Sequence, residues 1–364
     1  QLTKFTEYDI HFPSSGPDDI VFEQGGKLYL FSFATQKYQS VNVSLVMDKT
    51  DLKPKNVSAE KYVQHFSISP DGNRLLAEAR GDIFSLPAEN GFVKNITQSP
   101  GFAERYPAWS PNGKQLAYWS DEGGEYNLWI KENGLAPKKI TNFTSGFNYS
   151  LYWSPDSKML AFIDKAMKIK YCDVATGKTY DIDKALHFMH GACEAFILSW
   201  SPDSRWIAYT RDLSNFHKAA FIYDTKNKTT KQVTSGYYNI GDLVFDEQGK
   251  YLLLTTNQAF NPYYSDLDNS FVYGNSTQLA AISLKNSDKS LLYTQNDTVD
   301  IKLNDKNEGK KEEGKEDKKK DSVKSKNDKS AKEKDKVDVT IDFDGLESRM
   351  VILPVAAGNY SNLS

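Results

Sequence analysis

An all-β fold, a seven-bladed β-propeller with an incomplete last blade, is what this sequence predicts, on three observations. A cassette recurs as Trp109-Ser110-Pro111-Asn112-Gly113-Lys114, Trp153-Ser154-Pro155-Asp156-Ser157-Lys158 and Trp200-Ser201-Pro202-Asp203-Ser204-Arg205. Its proline presets φ, and its Asn, Asp and Gly accept turn geometry, so each copy reads as an aromatic, a tight turn and a new strand. An earlier copy puts Ile68 before Ser69-Pro70-Asp71-Gly72, and a worn copy runs from Phe245 to Lys250. The four prolines and Glu247 are spaced 41, 44, 47 and 45 residues apart, a period that marks propeller blades. The third observation is composition: short apolar runs fill the intervals, and 20 Phe, 21 Tyr and 6 Trp suit sheets packed face to face.

Taken in order, the turn cluster Gly16 to Asp19 precedes Ile20-Val21-Phe22, the Gly25-Gly26 hairpin signal and Leu28 to Phe33. This is a first blade without the cassette. Asp48 to Ala59 is a polar connection. Blade two runs from Tyr62 through Leu75-Leu76-Ala77 and Asp82 to Leu86, ending near Ile96. Blade three runs from Tyr106 through Tyr118 and Asn127 to Ile130, ending at Ile140. Blade four holds Leu151 to Trp153, Met159 to Ile163 and Ile169 to Asp173. Blade five holds Ile197 to Trp200, Trp206 to Tyr209, Ala220 to Asp224 and an outer Lys231-Gln232-Val233. Blade six holds Leu243 to Phe245, Tyr251 to Leu254 and Gln278 to Leu284. An aromatic excursion, Asn257 to Val272, lies within it and belongs on a rim face. A second excursion, Asp183 to Ala195, separates blades four and five.

Asp305 to Lys336 is different material, with 13 Lys against 5 Asp and 5 Glu in 32 residues. It cannot bury enough apolar surface to offset ordering entropy and reads as disordered. Order returns at Val337 to Phe343, which alternates strictly, and at Arg349 to Val355; these two strands are expected to start a seventh blade. Its other strands would come from beyond Ser364 or from Leu2 to His11. The organisation is therefore blades one to six over 1–304, the insert over 305–336, and a closing blade with a link to downstream domains over 337–364.

A formal net charge of −3 gives no case for nucleic acid. No run of about 18 apolar residues exists to span a membrane, and Gln1 to Asp9 lacks the build of a signal peptide. Without an initiating Met, the chain reads as a piece of a longer protein, and its compartment is open. The N-x-S/T triplets at Asn42, Asn95, Asn142, Asn148 and Asn275 carry little weight in so Asn-, Ser- and Thr-rich a chain. Cys172 and Cys193 match no CxxC pattern; two buried thiols are favoured over a disulfide.

No catalytic centre is legible. There is no G-x-S-x-G, and His11, His65, His187, His190 and His217 fall in unrelated contexts. His187 and His190 could share a helical face but lack a clear third metal ligand. Asp266-Leu267-Asp268-Asn269-Ser270 and Asp342-Phe343-Asp344-Gly345 read as turns, since the former has no bidentate Glu at the twelfth position of a calcium loop. The Trp109, Trp153 and Trp200 series reads as inter-blade core. Arg80, Arg105 and Arg211 are candidate channel or peptide contacts, because the planar guanidinium fork suits carboxylates; blade-to-blade salt bridges are the plainer reading. No catalytic residue, cofactor or metal site is assigned.

The cassette, W-S-P-D-G/S-K/R-x-I/L-A-Y, resembles the WD40-like repeat shared by TolB-type propellers, the prolyl oligopeptidase family and tricorn-type proteases. Three stretches narrow the likeness: Phe66 to Ala88, Gly101 to Pro111, and Ile341 to Arg349 leading into Leu353 to Tyr360. They resemble the second propeller of tricorn-type peptidases, as does the Lys/Glu-rich insert. In that family two propellers precede helical, PDZ-like and catalytic domains, and the nucleophile lies in the later domains. The resemblance implies a non-catalytic segment of a serine peptidase whose axial channel gates or docks peptides. It also implies a cytoplasmic setting, an exported one being the alternative. Partners would be peptides, the downstream PDZ-like and catalytic domains, and further copies in a homo-oligomer. A TolB-like interaction propeller without peptidase activity is the alternative, and a prolyl-oligopeptidase propeller a third reading.

Overall fold

The computed structural model describes residues 2–44, 46, 57–186, 196–259, 262–293 and 337–363. The chain divides into two compact units, Gln1–Ser58 and Ala59–Ser364. The first is a four-stranded antiparallel sheet, β1 (Ile10–Ser15), β2 (Asp19–Gln24), β3 (Lys27–Ser32) and β4 (Lys37–Val41), paired in chain order. Gly25 and Gly26, at φ +58° and +76°, make the tight β2–β3 link. Phe5, Phe22, Tyr29 and Tyr38 cluster on this sheet with ring centroids 4.7 to 6.0 Å apart. β1 was not evident from pattern: it carries Pro13, and its register breaks between His11 and Ser14. An edge strand tolerates both.

The second unit contains five four-stranded antiparallel sheets among the described residues. Sheet two is β5 (Val63–Ile68), β6 (Arg74–Ala79), β7 (Asp82–Pro87) and β8 (Lys94–Asn95). Sheet three is β9 (Glu104–Trp109), β10 (Gln115–Ser120), β11 (Asn127–Glu132) and β12 (Lys138–Lys139). Sheet four is β13 (Tyr152–Trp153), β14 (Met159–Ile163), β15 (Lys168–Asp173) and β16 (Thr179–Lys184). Sheet five is β17 (Leu198–Trp200), β18 (Trp206–Asp212), β19 (Lys218–Asp224) and β20 (Thr229–Gln232). Sheet six begins with β21 (Ile240–Phe245) and β22 (Tyr251–Thr256), detours through the hairpin β23 (Tyr263–Ser265) and β24 (Ser270–Val272), and resumes with β25 (Gln278–Ser283). Successive first strands, β5, β9, β13, β17 and β21, lie against one another, as in stacked propeller blades. Apolar cores fill the spaces between sheets. Tyr106, Trp119, Leu128 and Phe162 pack between sheets three and four; Ala208, Ile222, Leu243 and Leu254 pack between five and six.

Each cassette is a closed hydrogen-bonded turn. Ser110 Oγ donates to Asn112 Oδ1 at 2.8 Å and accepts from the Gln115 N–H at 2.9 Å; Ser154 and Ser201 repeat both bonds. In the worn copy Asp246 takes over, its Oδ1 accepting from the Lys250 and Tyr251 N–H groups at 2.7 and 2.6 Å. The fourth turn position is left-handed in every copy: Gly72, Gly113, Ser157, Ser204 and Gly249 have φ between +60° and +72°. Serine tolerates this strain because it reaches across to the preceding sheet. Ser157 Oγ accepts from the Asn112 N–H at 3.1 Å, and Ser204 Oγ from the Asp156 N–H at 3.0 Å.

The cassette tryptophans hook in the same direction. Trp153 Nε1–H donates to the Ala108 carbonyl at 3.1 Å, and Trp200 Nε1–H to that of Tyr152 at 3.0 Å. They are inter-sheet core, as expected. Trp109 packs against the Leu76, Ile83, Leu116 and Tyr118 cluster, and its Nε1 finds no acceptor among the described residues.

The end of the chain corrects the sequence reading. Met350–Ile352 (β26) pairs with β25, Ala280 opposite Ile352 and Ile282 opposite Met350. It is thus the outer strand of sheet six, not the opening of a seventh blade, and no seventh four-stranded sheet lies among the described residues. Val337 to Phe343 forms no ladder despite its alternation. Its apolar side, Val339 and Ile341, is buried in the core of sheets five and six. Side chains satisfy the Val339 backbone: its N–H donates to Asp203 Oδ2 at 3.0 Å, and its carbonyl accepts from Trp206 Nε1 at 2.9 Å. Gly249 makes room, since a Cβ there would lie 2.5 Å from Val339 Cγ2. The insert 305–336 and Cys193 lie outside the described residues; Cys172 is a buried free thiol.

Replacing Trp153 or Trp200 by Phe should destabilise the protein by about 1 kcal/mol more than Trp109→Phe, because only the first two strand a carbonyl acceptor. Urea unfolding of the three variants checks this; equal losses would refute the hook.

Candidate functional site

The residues that could meet a ligand gather at one end of sheets two and three. The cassette turns join first to second strands at one end of each sheet. The opposite end carries the starts of first strands and the second-to-third connections. Neighbouring first strands run the same way, since Arg105 reaches Gln64 and Trp109 reaches Ser67. The starts of β5 and β9 therefore lie side by side with the β6–β7 link, Arg80-Gly81. Gly81, at φ +87°, lets β9 cross close by. A Cβ there would come within 3.2 Å of Ala103 Cα, and its carbonyl accepts from the Glu104 N–H at 2.7 Å.

At the centre is the Glu78 carboxylate on β6, 2% exposed. Oε2 accepts from the Tyr106 N–H at 2.9 Å and lies 2.8 Å from His65 Nδ1. Oε1 lies 3.6 Å from Arg105 Nη1. A buried charge needs such compensation. Arg105 is further fixed by Nε–H to Tyr126 Oη at 3.0 Å and Nη1–H to Gln64 Oε1 at 3.3 Å. Burial works against its charge, but Tyr126 and Glu78 outweigh this and raise its pKa. The His65 ring lies on that of Tyr106, centroids 4.0 Å apart. Tyr106, Phe147 and Tyr149 form the aromatic floor beneath.

Of the residues singled out from sequence, Arg80 and Arg105 share this end. Arg80 is exposed, left-handed at φ +56°, with its guanidinium 5.0 Å from the Tyr62 ring centroid. Arg211 is elsewhere, on β18, where Nη1 pairs with Asp183 Oδ1 of sheet four at 2.8 Å and the guanidinium covers the Phe221 ring. Both Arg105 and Arg211 tie neighbouring sheets together. Sequence reasoning missed Glu78 and His65. The one available signal was a charged Glu78 inside an otherwise apolar strand, since burial of Glu calls for partners. His187 and His190 lie outside the described residues. Among the described residues no cluster of His, Cys, Asp and Glu is arranged to hold a metal ion. Asp268 belongs to a turn, its Oδ1 accepting from the Ser270 N–H.

Comparison with known proteins adds a family. The model of the tricorn protease second beta propeller domain matches residues 63–364. The tricorn protease homolog of Saccharolobus solfataricus is 21% identical over 260 residues, 71% of this chain and 23% of the relative. Tricorn protease homolog 1 of Streptomyces coelicolor is 22% identical over 354 residues, 94% of this chain and 31% of the relative. The chain thus spans less than a third of the length of either. The crystal structure of the tricorn protease superposes with a TM-score of 0.63 at 17% identity, covering 99% of this chain and 31% of that one. That likeness is one of fold.

Glu104, the residue before Arg105, is 2% exposed. Oε1 accepts from Ser99 Oγ at 2.6 Å, while Oε2 has no partner among the described residues. Burial pushes its pKa above the ordinary 4.5, against hydrogen bonds from Ser99, Thr97 and Ser120. The folded state thus holds this proton more tightly than the unfolded chain, a stabilisation lost as pH rises through the folded value. Glu104→Gln should therefore exceed the parent in stability near pH 7, the gap closing toward pH 4. Urea midpoints across that range check it; a gap independent of pH would contradict it.

Proposed function

Because the chain belongs to the family of tricorn protease second β-propeller domains, we propose that it serves as the non-catalytic propeller module of a tricorn-like serine peptidase. It gates or docks short peptides on their way to a catalytic domain outside this chain. The observation that carries this reading is the family match over 63–364, together with side-by-side first strands that bring Arg80 and Arg105 to one end of sheets two and three. Extended peptides suit such a site, because they offer unpaired backbone groups and carboxylates to fixed donors. The working partners are then peptides and the PDZ-like and catalytic domains of the same polypeptide, within a homo-oligomer. The division into a propeller body over 1–304, an insert over 305–336 and a closing segment over 337–364, whose Met350–Ile352 completes sheet six, belongs to the same proposal.

The isolated chain should bind short peptides and ignore folded proteins. Deleting it from the parent peptidase should relax selection by substrate size, read by comparing cleavage of peptides with that of a folded protein. Absence of peptide binding together with unchanged size selection would overturn the gating role.

A further inference from the structure

We infer that His65 and Arg105, both held by the Glu78 carboxylate, form a carboxylate-binding site at this end of sheets two and three. The inference rests on the peptide reading above and names the ligand group involved. Glu78 is turned wholly inward: Oε2 serves His65 Nδ1 and the Tyr106 N–H, and Oε1 faces Arg105 Nη1. The two side chains therefore sit on the two oxygens of one buried carboxylate, which sets their spacing and orientation. Their outer donors remain. His65 Nε2 and Arg105 Nη2 make no hydrogen bond among the described residues, and the side chains are 28% and 34% exposed.

Gln64 and Tyr126 brace Arg105 further, so little side-chain freedom is left to lose on binding. The Glu78 carboxylate faces the Arg105 guanidinium and the His65 imidazole, and the exposed Arg80 stands at the same end of the sheets. A ligand carboxylate would accept from Arg105 Nη2–H and, in the ring form in which both nitrogens carry a proton, from His65 Nε2–H. Glu78 is then a positioning residue. Arg211 makes the contrast, for its Nη1 is taken by Asp183 and its Nε is buried.

The test uses the full 364-residue chain and calorimetric titration with three alanine-rich hexapeptides: a free acid, its C-terminal amide, and an amide with one internal Glu. The free acid should bind about tenfold or more tightly than the plain amide, as expected for hydrogen bonds to a charged group. Binding of the Glu-containing amide at the strength of the acid would assign the site to side-chain carboxylates as well; weak binding would confine it to the terminus. His65→Gln and Arg105→Lys should each abolish the discrimination, and Arg211→Lys should keep it. Melting curves verify folding, and His65→Gln decides alone if Arg105→Lys does not fold. Equal binding of acid and plain amide, or discrimination that survives in folded His65→Gln, overturns the carboxylate site while leaving peptide docking intact. Failure of all three peptides to bind overturns both.

Discussion

Hydrogen bonds from one sheet to the backbone of the next are the constraint on which the rest of the second unit depends. Apolar burial between sheets is strong but tolerates sliding. An indole N–H aimed at one carbonyl, or a serine hydroxyl aimed at one amide, does not. Trp153 with Ala108, Trp200 with Tyr152, Ser157 with Asn112 and Ser204 with Asp156 fix neighbouring sheets residue by residue. The cassette is therefore more than a turn. It closes its own loop through Ser and Asp or Asn, and it reaches backward with Trp and the left-handed Ser.

The interface between sheets two and three lacks both hooks. Ile68 replaces the tryptophan of sheet two, the indole of Trp109 is left without an acceptor, and Gly113 stands where Ser157 and Ser204 reach back. Its buried core is also the smallest, Leu76, Ile83, Leu116 and Tyr118. What joins these sheets is polar: Glu78 to the Tyr106 amide, Arg105 to Glu78 and Gln64, and the Trp109 amide to Ser67 Oγ at 3.2 Å. Buried ionic groups add little net stability but enforce one geometry. Under the proposed peptide-docking role, such a geometry would hold the ligand donors still.

Most of the fold was legible because period and turn chemistry are local. Ser-Pro-Asp-Gly fixes where a strand begins, and the interval between copies fixes the number of strands. The failures were non-local. Val337 to Phe343 alternates like a strand, yet it is buried by Trp206 and Gly249, partners found only in the folded chain. Met350–Ile352 belongs to sheet six because β25 offered an open edge some seventy residues earlier, which no spacing rule reports. At the candidate site, Arg80 and Arg105 were visible as cations suited to carboxylates. His65 was not, because its role comes from Glu78 on the adjacent strand, and nothing in its own flanking residues distinguishes it from the other histidines.

The most direct test of the hook is exchange of the six indole N–H groups with solvent deuterium, followed by nitrogen-resolved NMR of tryptophan-labelled protein. Trp119, Trp153, Trp200 and Trp206, each bonded to a backbone carbonyl, should exchange only on global unfolding. Trp109 and Trp129, whose Nε1 atoms have no partner among the described residues, should exchange faster by local opening. Rapid exchange at Trp153 and Trp200, or one rate shared by all six, would contradict the account.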